Sequence, residues 1–221
     1  LKGYILPTIL ETIGVVFLLE GLSQIDAVHI LRHRTMSFSG QSTDARDVRD
    51  DAYVLPPELF IDSKFKDRIK KLHQDAVNLY IDMVENDEVS REHARYICPR
   101  SAETALYMRG NIKDIIHLIN TRLDRQTQPM SDNIIAAKMA IELVKVYPEL
   151  KSQFNLDPVS HFYLKSVQTP VAHALHPPEG NNDTFDWTYE DFISPKKKSE
   201  YVGAEIYFNL MNKLKKEFES L

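Results

Sequence analysis

The sequence feature that most constrains the fold is a change of hydrophobic periodicity near the start of the chain. Residues 13–19 form a continuous apolar run with several β-branched side chains, which is typical of a buried strand. From Ser23 the apolar residues instead recur at helical spacing, at Ile25, Val28 and Leu31. Ser23 and Asp26 have the spacing of a capping box, so the helix is predicted to begin there and to bury those three residues. A strand that leads directly into an amphipathic helix indicates a mixed fold.

Signals for further helices and one further strand follow along the chain. A second strand is predicted over residues 103–109. Helices are predicted to start at Asp62 or Ser63, at Ser90, at Asn111 with Asp114 completing its cap, at Ser131 and at Ser199. Two of them carry apolar stripes, formed by Phe65, Ile69, Leu72, Ala76, Leu79 and Met83 in one helix and by Tyr207, Leu210, Met211, Leu214, Phe218 and Leu221 in the other.

These signals predict the fold class and the division of the chain. The mixture of strands and helices indicates an α+β fold that is rich in helix. We predict one domain over residues 1–154 and a C-terminal extension over residues 155–221 that ends in an amphipathic helix. The polar, proline-bearing stretch 35–62 is predicted to be a long functional loop.

Composition and charge argue against several classes of protein. The formal net charge of −5 argues against a general nucleic-acid binder, and no apolar run is long enough to cross a bilayer. The single cysteine, Cys98, excludes an intrachain disulfide and is typical of a reducing compartment. We therefore expect a cytoplasmic protein with no nucleic-acid and no membrane partner. The histidines include no His-Glu-x-x-His pattern, and we predict no metal site.

Three adjacent residues, Arg32, His33 and Arg34, are predicted to lie on the last turn of the first helix. Cations stabilise a helix C-terminus through the helix dipole, which is the structural interpretation of this triplet. The functional interpretation is that two arginines with a histidine between them form a multi-donor grip for phosphates or for a planar heterocycle. The triplet alone leaves both interpretations open.

The triplet is followed by elements that are specific when they are taken together. They are Ser37 and Ser42, Tyr53, Pro56-Pro57, Arg95 with Pro99 four residues later, Asn111, and Arg122 with Thr127-Gln128. In order and spacing they resemble the flavin-dependent thymidylate synthases. The signature of that family runs Arg-His-Arg, two residues, Ser, one residue, Asn-Glu, one residue, Ser, one residue, Arg-Tyr. The resemblance extends from Glu20-Gly21 to Gln128, roughly half of the chain.

The resemblance implies a fold, an assembly and a missing segment. Family members have a helix-rich α/β domain that assembles as a homotetramer. We expect the apolar stripe of the last helix to serve as core or as a subunit contact. The resemblance starts partway through the usual domain, so we also expect an N-terminal segment to be absent from this sequence.

The resemblance also implies an activity and its cofactors. Family members are methyltransferases of dTMP biosynthesis. They transfer a methylene group from methylenetetrahydrofolate to C5 of dUMP, and FAD carries reducing equivalents from NADPH. The flavin lies between subunits, and the positions that match its contacts are Arg32, His33, Arg34, Asn111, Lys113 and His117. Lys113 and His117 stand where the family has Arg and Asn. Lys113 therefore keeps the positive charge but lacks the bidentate donor geometry of a guanidinium.

The nucleotide contacts of the family match Ser42, Arg95, Arg122 and Gln128. Arg122 is the catalytic candidate, because a guanidinium beside the pyrimidine O/N3 edge stabilises the negative charge of the ionised ring. The structural alternative for Arg122 is a cation at a helix C-terminus, followed by a surface loop. The family uses no cysteine nucleophile, so Cys98 is predicted to be structural.

The sequence departs from the family signature in the nucleotide-binding loop. Ser39-Gly40 stands where the family has Asn-Glu, and Asp44-Ala45 stands where it has Arg-Tyr. The lost arginine contacts the substrate phosphate in the family, and Asp44 repels a dianion, so Arg46 or Arg49 is the candidate replacement. Three functions stay open: a flavin-dependent thymidylate synthase, a related methylase or hydroxymethylase of another pyrimidine nucleotide such as dCMP, and a non-catalytic nucleotide-binding homologue.

Overall fold

The structure, a computed structural model, describes residues 7–42, 53–56, 65–86, 89–125, 130–158 and 204–221. Its helices are α1 (Pro7–Thr12), α2 (Gln24–Leu31), α3 (Lys66–Glu85), α4 (Arg91–Ala94), α5 (Ile112–Leu123), α6 (Met130–Val146) and α7 (Ala204–Ser220). Its strands are β1 (Gly14–Ser23), β2 (Ser37–Gly40) and β3 (Glu103–Asn111). Short 3₁₀ helices cover Arg95–Ile97 and Pro148–Gln153. The predicted α+β class is confirmed. Within these ranges, no helix combines the length and apolarity that a bilayer crossing requires.

The described strands form an antiparallel sheet in the order β1–β3–β2. β3 lies in the centre, where Met108 pairs with Phe17 of β1. Both of these side chains are buried, whereas Val16, Leu18 and Tyr107 on the opposite face are exposed. An antiparallel sheet with one buried face usually carries polar residues on the other. Here the second face presents apolar side chains to solvent.

A bulge in β1 sets the position of the following helix. The pairing with β3 shifts by one residue between Leu19 and Leu22, and Gly21 within the bulge has a φ of 70°. A left-handed φ is strained for residues with a Cβ, which explains the glycine at this point. The shift lets β1 end at Ser23, opposite Glu103, where α2 begins.

The predicted capping box of α2 is confirmed. Asp26 N donates a hydrogen bond to Ser23 Oγ at 3.1 Å, and Ser23 N donates one to Asp26 Oδ2 at 3.1 Å. The predicted C-terminus is wrong, because α2 ends at Leu31 with Arg32 as its C-cap. His33 and Arg34 therefore follow the helix instead of forming its last turn.

The predicted buried face of α2 is also wrong. Ala27 and Ile30 are buried, and α2 packs against β1 and β3. The three residues that the periodicity favoured are about 40% exposed, namely Ile25, Val28 and Leu31. Helical spacing identifies rows of apolar residues, but it does not say which row packs against the sheet.

In helix α3, too, the buried face differs from the predicted one. Its buried residues are His73, Val77 and Tyr80, which lie one position after members of the predicted stripe. Within that stripe, Leu72 and Leu79 are exposed. The helix begins at Lys66, and the predicted caps Asp62 and Ser63 lie outside the described residues.

Three further boundaries can be compared with the sequence. The second predicted strand is confirmed and extends to Asn111 as β3. β2 lies inside the stretch 35–62 that the sequence predicts as a loop, so that prediction is wrong over Ser37–Gly40. α6 begins at Met130, so Ser131 lies inside the helix and does not cap it.

Contacts within the chain divide it into two compact units, Leu1–Asp114 and Ile115–Leu221. In the second unit, α7 packs against α6. The buried residues of α7 are Tyr207, Met211, Leu214 and Phe218. The apolar stripe of the last helix therefore belongs to the core of its own unit, which corrects its use as evidence for a subunit contact. The domain boundary predicted after residue 154 stays a prediction.

Candidate functional site

The predicted cofactor triplet forms a short cationic turn, residues 32–34, directly after α2. The backbone N–H of His33 donates to Ile30 O at 3.1 Å, which fixes the turn to the end of the helix. Arg32 and Arg34 are exposed, and His33 is half-buried. Two exposed guanidinium groups within three residues give this turn several charged donors for an anion.

At the start of α5, Asn111 caps the helix as predicted. Asn111 Oδ1 accepts a hydrogen bond from Asp114 N at 2.9 Å, and Asn111 Nδ2 donates one to Asp114 Oδ2 at 2.8 Å. The backbone N–H of Ile112 donates to Ile13 O at 3.0 Å. The cap uses one N–H and one oxygen lone pair of the Asn111 amide, so a ligand can contact this amide while the cap is kept.

Lys113, in the first turn of α5, forms an ion pair with Glu11 of α1. Both side chains are about half exposed. The hydrogen bond to Glu11 and then its charge raise the pKa of Lys113 above its ordinary value. Lys113 therefore stays cationic through the neutral range, but a bound phosphate must share this cation with Glu11.

The sheet register brings the cationic turn and the start of α5 to the same end of the sheet. Ser37, the first residue of β2, pairs with Arg109 of β3. Arg34 precedes Ser37 by three residues, and Asn111 follows Arg109 by two. A β-strand rises about 3.3 Å per residue, so both segments lie within about 10 Å of this pair along the sheet. We call this the α5 end of the sheet.

Arg109 is a third cation at the α5 end that the sequence analysis missed. Its side chain is exposed on the sheet face that carries Tyr107. Its Nε and Nη2 lie 3.9 Å from the point where a Cβ on Gly14 would stand, so the guanidinium lies over the start of β1. The alternation of side chains along β3 would have placed Arg109 on this face once the strand was known.

The nucleotide loop is attached at the opposite end of the sheet. Gln41 N donates to Ala105 O at 2.9 Å, just before Ser42, which is exposed. The chain returns at Tyr53, which bridges to Ala102, and Val54 N donates to Ser101 O at 2.7 Å. Both ends of the loop are thus fixed to residues 101–105, which we call the loop end of the sheet.

Arg95 lies at the C-cap of α4, in the segment that leads to the loop end. Its Nε donates to Glu92 O at 3.0 Å, and the residue is half-buried. Pro99 O accepts a hydrogen bond from Ala102 N at 2.9 Å, which connects the Arg95–Pro99 element to the anchored loop. Cys98 is half-buried and packs against Tyr80 and Ala94, and its structural role stays a prediction.

In the second unit, Arg122 lies in the last turn of α5 and is buried. Its Nη1 forms an ion pair with Asp132 Oδ2 at 2.9 Å, and the two side chains are only 8% and 1% exposed. Asn133 Nδ2 donates to Arg122 O at 2.6 Å, and Tyr207 Oη donates to Asn133 Oδ1 at 3.2 Å. Side chains of α6 therefore hold Arg122, and Tyr207 of α7 supports one of them. The surface-cation interpretation of Arg122 does not fit.

The sequence model of the family "thymidylate synthase complementing protein" matches residues 4–149. The chain belongs to this family. A flavin-dependent thymidylate synthase from Sulfurisphaera tokodaii is 30% identical over 152 residues, which cover 68% of this chain and 57% of that protein. One from Pyrococcus furiosus is 28% identical over 148 residues, which cover 65% of this chain and 59% of that protein.

The chain spans less than two thirds of the length of these two relatives. Among solved structures, a UMP/dUMP methylase PolB from Streptomyces cacaoi bound with 5-Br dUMP aligns with a TM-score of 0.54. It is 22% identical, and the alignment covers 62% of this chain and 68% of that chain. At this identity the similarity supports the fold.

The described residues include most positions at which the chain resembles the thymidylate synthase complementing family. Arg32–Arg34, Asn111 and Lys113 come together at the α5 end, and Ser42 lies at the loop end. Arg46 and Gln128 lie outside the described residues, and so do Asp44 and Arg49. Sequence reasoning did not find Asp132 and Asn133, which contact Arg122 from the next helix, or Tyr207, which contacts Asn133 from the last helix.

Proposed function

We propose that this protein is a flavin-dependent thymidylate synthase, which transfers a methylene group from methylenetetrahydrofolate to C5 of dUMP. The buried Arg122–Asp132 pair carries this proposal. Arg122 stands at the position where the family contacts the pyrimidine ring, and its ion pair holds the guanidinium in place before substrate arrives. A fixed charge in a water-poor site stabilises a developing anion more than a mobile surface charge does.

FAD is the proposed cofactor, with NADPH and methylenetetrahydrofolate as co-substrates. The α5 end of the sheet suits a diphosphate, because the exposed Arg32 and Arg34 lie at the same end of the sheet as the N-terminus of α5. Lys113 adds a cation once Glu11 releases it, and His117 follows on α5, one turn later. When bound, the flavin supplies the hydride chemistry that the protein side chains lack.

In the proposed reaction, Arg122 favours loss of the N3 proton from the pyrimidine. The ionised ring is the better carbon nucleophile at C5, and the guanidinium stabilises the charge on its O/N3 edge. Arg95 and Ser42 are proposed to hold the nucleotide, with Arg46 as the phosphate contact in place of the family arginine. Gln128 is proposed as a further contact to the base.

We also propose a homotetramer in which the active site is shared between copies. Along the sheet, Ser42 and the cationic turn are separated by about 20 Å at the usual strand rise, whereas a flavin and its substrate must touch. In the resembled family the flavin lies between subunits, so one chain is proposed to supply the α5 end and another the loop end. Two groups of exposed apolar residues in the first unit offer surfaces for such contacts. They are Val16, Leu18 and Tyr107 on the open face of the sheet and Ile25, Val28 and Leu31 on α2. The single cysteine supports a cytoplasmic location.

A second candidate substrate follows from the altered loop. Asp44 stands where the family signature has its phosphate-binding arginine, so the nucleotide is held differently or is another nucleotide, such as dCMP. The phosphate is the same in dUMP and dCMP, so the choice between these two bases is left to the assay. A non-catalytic homologue is less consistent with an arginine that is buried and paired at the catalytic position.

Two measurements test the proposed function. The purified protein should show flavin absorbance or bind added FAD, and it should release tritium from C5-labelled dUMP when folate and NADPH are present. The substitution Arg122→Lys should lower that rate by about a hundredfold. A protein that binds no flavin, or whose tritium release is unchanged by Arg122→Lys, would contradict the proposal. A preference for labelled dCMP would select the second candidate.

A further inference from the structure

Helix α3 carries two apolar rows on different sides. The inner row packs against the neighbouring part of the first unit and includes Val77 and Tyr80, which are 5% and 2% exposed. The outer row consists of Ile69, Leu72, Ala76, Leu79 and Met83. Leu72 is 66% exposed and Leu79 is 50% exposed. Ile69 and Ala76 are half-buried, and Met83 packs against the cluster around Tyr80 and Ala94, so Leu72 and Leu79 are the members of the outer row that the packing of the inner row leaves exposed.

The spacing of the outer row is that of a coiled-coil seam. Its residues are separated by three, four, three and four positions, which is a heptad pattern over most of the 20 residues of α3. A narrow seam of this kind fits one partner helix along its length, whereas an isolated exposed leucine needs no explanation.

The charges beside the outer row are distributed unevenly along the helix. Arg68 lies beside the first half of the row, and Asp75 and Asp82 lie beside the second half. All three are exposed. The helix therefore offers a positive flank near its N-terminus and a negative flank near its C-terminus.

We propose that the outer row pairs with the same helix of a second copy of this chain, in antiparallel orientation. Antiparallel pairing sets Ile69 against Leu79 and Leu72 against Ala76 of the other copy, so that the two apolar positions of the heptad meet across the seam. It also sets Arg68 beside Asp82 of the other copy, twice by symmetry. Parallel pairing would instead set the charged flank beside the flank that carries His73 and Tyr80, and these two residues are buried in the inner row. The charge pattern thus selects a second copy as the occupant.

The proposal adds an interface to the self-association proposed above, and it is independent of the nucleotide and the flavin. Asp75 lies near the two-fold axis and faces its own counterpart. Removing this repulsion with Asp75→Asn should tighten the association several-fold. Leu72→Glu places a charge in the hydrophobic seam. It should halve the molar mass of the assembly in light scattering and leave the circular dichroism of the chain unchanged.

Charge exchange gives the decisive test. Arg68→Glu and Asp82→Lys should each halve the mass, because each variant places like charges across the seam. Mixing the two variants should restore the wild-type mass, since both pairs are then complementary in the mixed assembly. Lys70→Glu makes the same charge change on another side of α3 and serves as the control, with no expected change in mass.

Three results would overturn the proposal. One is a wild-type chain that is monomeric at micromolar concentration. Another is full mass in both charge variants, or no recovery when they are mixed. The third is an unchanged mass with a lowered thermal midpoint in Leu72→Glu, which would mean that another part of the same chain covers the row. Tritium release from dUMP tests the proposed function separately.

Discussion

Replacing Asp132 by alanine is expected to destabilise the second unit strongly. Asp132 is 1% exposed and Arg122 is 8% exposed, so the substitution leaves a buried guanidinium without the carboxylate that compensates it. Breaking a buried ion pair by removing one partner costs about 3–5 kcal/mol. For a chain of this size, each kcal/mol lowers the thermal midpoint by about 2–4 °C, which predicts a shift of roughly 6–20 °C.

The control is a second ion pair in the same unit. Lys215 Nζ lies 3.3 Å from Asp157 Oδ1, and both side chains are about one third exposed. Solvent screens such a pair, so Asp157→Ala should cost less than about 1 kcal/mol. Both variants are compared with wild type by thermal and urea unfolding, followed by circular dichroism.

A double-mutant cycle identifies the cause of the effect. Asp132→Ala combined with Arg122→Ala removes both buried charges, so the double variant should lose less stability than the sum of the two single losses. Additive losses, or equal destabilisation by Asp132→Ala and Asp157→Ala, would refute the argument that Asp132 compensates a buried charge.

Three further predictions concern the α5 end and the cysteine. Arg34→Ala removes a charged contact and should weaken FAD binding about tenfold in a fluorescence titration, whereas unchanged binding would place the flavin elsewhere. Glu11→Gln should return the pKa of Lys113 toward its ordinary value and leave the lysine cationic at pH 7. The affinity for FAD should then rise a few-fold at low salt. A lower affinity would contradict the competition between Glu11 and phosphate. Cys98→Ala should keep tritium release from dUMP within about twofold of wild type, because the thiol packs against the core and is predicted not to act as a nucleophile.

The sequence predicts the features of this fold that depend on neighbouring residues. The caps at Ser23 and Asn111 are examples, because each cap is made by a side chain three positions away. The class of fold follows from periodicity in the same way. β2 is not predictable by this route, since its four residues form a strand only through backbone bonds to β3, which lies some seventy positions later.

The rows of α2 and α3 show the limit of periodicity most clearly. In both helices, the residues that are buried do not form the longest apolar row at helical spacing. The buried residues of α3 are His73, Val77 and Tyr80, which are mixed in polarity and give a weaker sequence signal than Leu72 and Leu79. Which row is buried depends on the neighbouring elements, and one sequence does not reveal their positions.

The candidate site also has parts that the sequence reveals and parts that it does not. Arg32–Arg34, Asn111 and Arg122 are found from the order and spacing of family elements, and their contacts with the flavin and the nucleotide stay predictions. Asp132 and Tyr207 are invisible to spacing, because Tyr207 lies 74 positions beyond the asparagine that it contacts. Residues that fix a reactive group in place need only be close in space.

The hydrogen bond from Tyr207 to Asn133 has a practical meaning for anyone who shortens this protein. The family similarity ends at residue 149, and a boundary drawn there would discard α7. Yet Tyr207 of α7 is fully buried and bonds to Asn133 of α6, and Asn133 in turn holds the backbone of Arg122. A fragment without the last helix would expose the apolar side of α6 and release the catalytic candidate from its support. The minimal unit for expression or crystallisation is therefore defined by packing, and it includes the whole of α7.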